Sequence, residues 1–243
     1  MSSEETEQRL ISAINFFFTE QRKTKCVLGL SGGIDSAVVA GLLVKALGKE
    51  NVSVILMPNN LITKESSTKD AESLAKNLGI KYFIIPINSQ LDSFNLPWEQ
   101  SKIAKANLNA RVRALILYNF ANTFETLVAG TGNKSEFYLG YFTKYGDAAA
   151  DFFPIGSLLK KEVRELAKEL KLPSEFLEKP PSAELWKNQE DEKELGFSYE
   201  EIDSVLPLIL ENKETPTEKK ELVSKIKSII NETEHKRLLP KIL

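Results

Sequence analysis

The sequence predicts an α/β protein, a parallel sheet with helices on both faces. Three observations carry that expectation. Four short apolar runs read as buried strands: "CVLGL" (26–30), "VSVILM" (52–57), "KYFIIPI" (81–87) and "TLVAGT" (126–131). Stretches with helical apolar spacing lie between them. Strands that alternate with helices connect by right-handed crossovers, which leave the strands parallel. Ligands of such sheets settle beyond the carboxyl ends of the strands.

Taken in order, Leu10, Ile11, Ile14, Phe17 and Phe18 recur at helical spacing and predict a helix over 4–20. The first strand meets a turn, Ser31-Gly32-Gly33, and then a helix over 34–47. Another helix is expected over 66–78, and a less regular one across 99–122. After "DFFPIGSL" the strands run out. Residues 158–170 read as helical, and Pro180-Pro181 interrupts the chain. Ser198 and Glu201 have the spacing of a capping box, opening a helix through Ile202, Val205 and Leu206. A last helix is expected over 217–231. The polar stretch 179–196 is long enough to form a lid.

At 243 residues the chain suits one large domain, and 1–243 is read as such. Its 42% hydrophobic and 27% charged residues describe an ordinary globular protein. A net charge of −2 argues against bulk attraction to nucleic acid or anionic membrane. No apolar run approaches the roughly 20 residues a bilayer requires. The start, "MSSEETEQ", is acidic and unlike a targeting peptide. A single cysteine, Cys26, excludes an internal disulfide and a Cys-rich metal site. A cytoplasmic setting is therefore expected.

The turn after the first strand carries the chemistry. Strand, Gly-rich turn and helix present backbone N–H groups of residues 31–36 at a helix N-terminus, which favours an anion. A Walker A loop would follow its glycines with lysine, and here Asp35 stands instead. A carboxylate beside phosphate needs a divalent cation between them, so Asp35 predicts Mg2+. The residues alone also allow a plain tight turn, with Asp35 favouring the helix dipole.

"SGGIDS" resembles the SGGxDS pyrophosphate loop of the N-type ATP pyrophosphatase superfamily, whose members cleave ATP between its α and β phosphates. Longer blocks are more specific: "NLNARVRALILYNFAN" (107–122), "VAGTGNKSEFYLGYFTKYGDAAADFFPIGSLLK" (128–160), "KPPSAELW" (179–186), "DEKELGFSYEEID" (191–203) and "HKR" (235–237). These resemble the ammonia-dependent NAD synthetase family, over nearly the whole chain. The resemblance implies a Rossmann-like sheet of the adenine nucleotide alpha hydrolase-like kind. It implies a ligase that converts deamido-NAD (nicotinic acid adenine dinucleotide), ATP and ammonia into NAD, AMP and pyrophosphate. The route is an adenylated carboxylate, in the last step of NAD biosynthesis.

Site residues follow from the resemblance one at a time. Gly29, Leu30, Ser31, Gly32, Gly33, Ile34, Asp35 and Ser36 would bind ATP, joined by Thr131, Lys160 and Ser182. Read alone, Thr131 could cap a helix and Lys160 could be a solvated helix lysine. Ser182 stands where many relatives carry threonine, and keeps the hydroxyl. Asp35 and Glu136 would hold Mg2+, although Glu136 also sits where a capping-box glutamate for Asn133 belongs. Arg111, Lys144, Asp151, His235 and Lys236 would hold deamido-NAD. Without the family, "HKR" reads as cations complementing the end of the last helix.

Asp35, Asp151 and Lys160 are the catalytic candidates. Either Asp147 or Asp151 would orient the nicotinate or take a proton from ammonium. Cys26 reads as a core residue, not a nucleophile. With no amidase domain read in the chain, nitrogen is expected from ammonia. A homodimer is implied, with the 99–122 helix and Phe16-Phe17-Phe18 near its seam. Two alternatives stand beside this reading: another amidating ligase, such as a GMP synthetase ATPase subunit, and a non-catalytic nucleotide-binding module.

Overall fold

Four strands, β1 (Cys26–Gly29), β2 (Val52–Leu56), β3 (Lys81–Ile84) and β4 (Leu127–Val128), pair in parallel in the order β3-β2-β1-β4. The structure is a computed structural model that describes residues 2–182, 184–187 and 189–242. Residues 183 and 188, inside the 179–196 stretch expected as a lid, lie outside the described residues. The sheet grows outward from β1 to β3, then returns to add β4 on the other side. That reversal opens a crevice at the carboxyl ends of β1 and β4.

In chain order the helices are α1 (Ser3–Gln21), α2 (Ile34–Leu47), α3 (Glu65–Leu78), α4 (Asn88–Asp92), α5 (Lys102–Phe124) and α6 (Lys134–Leu139). They continue with α7 (Lys160–Glu169), α8 (Ser174–Glu178), α9 (Asp191–Leu195), α10 (Tyr199–Leu210), α11 (Lys220–Glu232) and α12 (Glu234–Arg237). One sheet face carries α1, α2, α3 and α7, whose Leu10, Phe18, Val38, Leu42, Leu74 and Val163 close over Cys26 and Leu28. The other carries α5, whose Val112 and Ala121 meet Val27, Ile55 and Val128. Strands covered on both faces read as continuous apolar runs, which is why they were visible in the sequence. A further cluster joins Leu139 of α6, Ile202 and Leu206 of α10, and Val223 and Ile226 of α11.

Element edges differ from expectation for local reasons. β3 is assigned only to Ile84, yet Ile85 N still donates to Leu56 O at 2.8 Å and Ile87 N to Pro58 O at 3.0 Å. Pro86 falls between them, where the open edge needs no donor. β4 is only two residues long, after which Ala129 N still donates to Val27 O at 2.9 Å and Ala129 bridges to Phe152. The 99–122 helix runs from 102 to 124 because Ser101 caps it, its Oγ accepting from Ala104 N at 3.2 Å. The last expected helix begins as a 3-10 turn, Thr217–Lys219, before α11. The capping box at α10 is present: Glu201 N donates to Ser198 Oγ at 3.2 Å, and Ser198 N donates to Glu201 Oε2 at 2.9 Å. Among the described residues no helix is long and apolar enough to cross a membrane.

Candidate active site

Leu30 N donates to Ile55 O at 3.1 Å, so the chain leaves the sheet only at Ser31. Gly32 has φ +83°, and a Cβ there would collide with the Ser67 carbonyl of α3, so only glycine fits. Two hydroxyls knot the loop: Gly33 N donates to Ser31 Oγ at 3.2 Å, and Ser36 Oγ donates to Gly33 O at 3.0 Å. α2 then opens at Gly33, which has no side chain to cap it. Its first amides are left for an anion.

Beside the loop three elements converge. Lys160, the first residue of α7, sends its ammonium to Asp35 Oδ2 of α2 at 2.6 Å and to Glu136 Oε1 of α6 at 3.0 Å. The lysine side chain is 2% exposed. It is not the solvated helix lysine that its residue type suggests. Asn133 joins the pair from the other side, Nδ2 donating to Asp35 Oδ1 at 2.9 Å. Asn133 also makes the capping box of α6, with Glu136 N to Asn133 Oδ1 at 3.0 Å and Asn133 N to Glu136 Oε2 at 3.2 Å. Of the cap and the magnesium ligand expected at Glu136, the cap is present through Oε2, while Oε1 meets Lys160.

Burial pushes the Glu136 carboxyl up to about 7, against the pull of Lys160, and the nearby Asp35 raises it further. For Lys160 burial works downward, but Asp35 and Glu136 outweigh it and hold the ammonium above its ordinary range. One ammonium thus balances two carboxylates. That donor set suits Mg2+, a hard cation that takes oxygens and completes its shell from phosphate and water. Among the described residues no group of three or more His, Cys, Asp or Glu could hold a metal alone, so a bound ion would depend on the nucleotide.

A cavity of about 500 Å³ opens over the loop. Residues 29–36, Thr131, Glu136, Lys160, Ser182 and Lys236 all line it. Ser182 faces the cavity with its hydroxyl engaged, Oγ donating to Gln189 O at 2.7 Å. Lys179 ties the 179–196 stretch down by pairing with Asp70 of α3 and donating to Gly32 O at 3.3 Å. Asp147 and Arg113 are among the further charged residues that line the cavity. Asp147 accepts from Thr143 N at 2.8 Å, and burial raises its carboxyl. Arg113 donates from Nε to Met57 O at 3.0 Å; burial lowers its guanidinium, with Glu184 and Asp147 opposing. The sequence reading did not single out Arg113, which appears there only inside the block at 107–122.

Arg111, Lys144, Asp151 and His235 lie outside that lining. Three of them form one surface chain: Arg111 Nε donates to Lys144 O at 3.3 Å, and Lys144 Nζ to His235 O at 2.6 Å. Lys236 Nζ donates to Gly140 O at 2.7 Å and Phe142 O at 3.0 Å, and Arg237 to Tyr138 O at 2.8 Å. Lys236 and Arg237 therefore also complement the carboxyl end of α6, besides standing at the end of their own short helix. Asp151 anchors β4, accepting from Val128 N at 2.7 Å and from the Tyr118 hydroxyl at 3.3 Å. Cys26 is buried and its thiol is pushed up to about 12, which fits an inert core residue.

The family model described as NAD synthase matches residues 7–240. This chain belongs to the NAD synthase family. A curated relative, the NH(3)-dependent NAD(+) synthetase of Archaeoglobus fulgidus, is 44% identical over 243 residues, covering 100% of this chain and 97% of that one. Among solved structures, NMN synthetase from Francisella tularensis superposes with a TM-score of 0.90 at 35% identity, over 100% of this chain and 99% of that one. The NH3-dependent NAD synthetase from Campylobacter jejuni, in complex with the nitrate ion, gives 0.86 at 36% identity, over 100% of both chains. Within the NAD synthase family the fold is the adenine nucleotide alpha hydrolase-like one, as expected.

Proposed function

We propose that this chain is an ammonia-dependent NAD synthetase, amidating the carboxylate of deamido-NAD with ATP and ammonia and releasing AMP and pyrophosphate. One observation carries the reading: an uncapped Gly-rich loop and the Lys160–Asp35–Glu136 cluster face a single cavity in a chain with this family's sequence. A carboxylate is a poor acyl acceptor, because its leaving group would be oxide. Adenylation converts that oxygen into AMP, which ammonia then displaces at the carbonyl carbon.

The residues supply positioning and charge. Amides at the start of α2 hold the phosphates of ATP, with Thr131 and Ser182 in the same cavity. Lys160 neutralises charge that builds on the departing pyrophosphate. Asp35 and Glu136 would hold Mg2+, which when bound screens the phosphates from these carboxylates. Arg111, Lys144, His235, Lys236 and Asp151 hold deamido-NAD at the rim. Asp147, inside the cavity, or Asp151 takes the ammonium proton. Arg111, Lys144 and His235 lie on one surface chain outside the cavity, which supports a homodimer whose seam completes the site. The chain acts as one domain in the cytoplasm.

A second reading has its own support, the 0.90 superposition on an NMN synthetase. The acceptor would then be the deamidated mononucleotide. Phosphorus NMR of ATP, magnesium and ammonium with deamido-NAD, nicotinate mononucleotide or xanthosine monophosphate separates these. AMP and pyrophosphate are expected with deamido-NAD. Faster turnover of the mononucleotide would transfer the assignment to the second reading. ADP and orthophosphate would end both. Glutamine as sole nitrogen source should give no NAD.

A further inference from the structure

Lys160 is held by a residue that never reaches the cavity. α7 opens at Leu159, whose side chain has no acceptor to cap the helix. Its first amides are met from two other helices. Lys161 N donates to Asp203 Oδ2 of α10 at 2.8 Å. Lys160 N donates to Ser135 Oγ of α6 at 3.1 Å, and Ser135 Oγ donates in turn to Asp203 Oδ1 at 2.5 Å. Asp203 and Ser135 are 2% and 0% exposed, and Asp203 is absent from the cavity wall.

A buried carboxylate is tolerated only when its oxygens are met by donors. Here the donors are a hydroxyl and the positive end of α7. Ser135 precedes Glu136, and Lys160 precedes Lys161, so the same chain of three bonds fixes both cavity residues that face Asp35. We propose that Asp203 is a positioning residue for turnover, acting through Ser135 and the first turn of α7 to set Lys160 and Glu136 against Asp35. This rests on the role given to Lys160 above. An asparagine at 203 has one acceptor oxygen where the aspartate has two. It can still serve Lys161 N, but it then turns an N–H toward Ser135, whose hydroxyl loses the acceptor that orients it.

The test is a kinetic cycle of wild type, Asp203→Asn, Lys160→Met and the double variant, with Ser135→Ala as a second probe that leaves the buried charge in place. Asp203→Asn should lower kcat roughly tenfold or more with little change in KM for deamido-NAD. On the Lys160→Met background the fold-loss should be clearly smaller, the remainder acting through Glu136, because coupled residues are not additive. Ser135→Ala should show the same dependence, and decides the matter if Asp203→Asn does not fold. The same fold-loss on both backgrounds would overturn the coupling and leave Lys160's role intact. Folded Asp203→Asn and Ser135→Ala with wild-type kcat would also overturn it. Lys160→Met with wild-type kcat would remove both the role of Lys160 and this inference.

Discussion

The Lys160 ammonium stands 2.6 Å from Asp35 Oδ2, joining residues 125 positions apart beside the Gly-rich loop. Both groups are largely withdrawn from water, and breaking one half of a buried pair leaves the other uncompensated. Lys160→Met should therefore cost stability as well as turnover, about 3 kcal/mol at alkaline pH. The cost should shrink on acidification, when Glu136 can take a proton. Denaturant titrations across pH check this. A loss of stability independent of pH would mean that the carboxylates do not depend on that ammonium.

Glu136→Gln separates the two jobs of that residue. Glutamine can still accept from Asn133 N, as either residue can in a capping box. The fold of α6 should survive while turnover falls by at least about a hundredfold, through the lost charge where Mg2+ is proposed to bind. Glu136→Ala should lose turnover and melting temperature together. An active Glu136→Gln enzyme would leave capping as the residue's whole role.

The same carboxyl sets a pH dependence. Its folded-state pKa, raised to about 7, lies above the ordinary 4.5, so between those values the native state binds more protons than the unfolded one. Stability must then fall as pH rises through that window, by something on the order of 1–3 kcal/mol for this group. Glu136→Gln should flatten that decline between pH 5 and about 7.5 without added nucleotide or metal. Parallel curves for wild type and variant would place the raised carboxyl elsewhere.

The parts of this fold that were legible in the sequence are those with period or punctuation. Strands covered on both faces, the α2 and α3 helices, and the Ser198–Glu201 cap each announce themselves locally. The five-residue helices α4, α8 and α9 do not, since each is barely longer than one turn of a periodic pattern. The loop was legible because Gly32 answers a backbone demand. The cluster was legible only through the resemblance: no local pattern says that Lys160 is buried, or that Asn133 holds both Asp35 and Glu136. Arg113 and Asp203 were not singled out, because their meaning lies in contacts 56 and 68 residues away.

Arg113 is expected to be part of the binding surface. Its Nε is fixed on Met57 O, which leaves the two terminal nitrogens of its fork for the cavity. Arg113→Gln should raise KM for one of the two nucleotide substrates by at least about tenfold, in line with the loss of one charge-assisted contact. Unchanged KM for both would make the guanidinium a strut for the end of β2.

Assembly offers the most direct test of how the rim works. Phe16 and Leu115 are each 66% exposed, on α1 and α5, and Arg111 lies on the exposed side of α5 outside the cavity wall. Apolar side chains left this open on two helices are what an interface between copies would cover. In a two-fold dimer every contact occurs twice, so Arg111 of one copy can serve the cavity of the other in both directions. Asp35→Asn damages the cavity and Arg111→Ala damages the rim, and each homodimer should be nearly inactive. If the rim belongs to the opposite copy, a mixed dimer has one site with both lesions and one with neither. Activity should then return on subunit exchange, approaching one quarter of wild type when random re-pairing yields about half mixed dimers. Full exchange with no recovery would put Arg111 and Asp35 in the same copy's site. A monomeric mass by light scattering at working concentration would remove the dimer altogether.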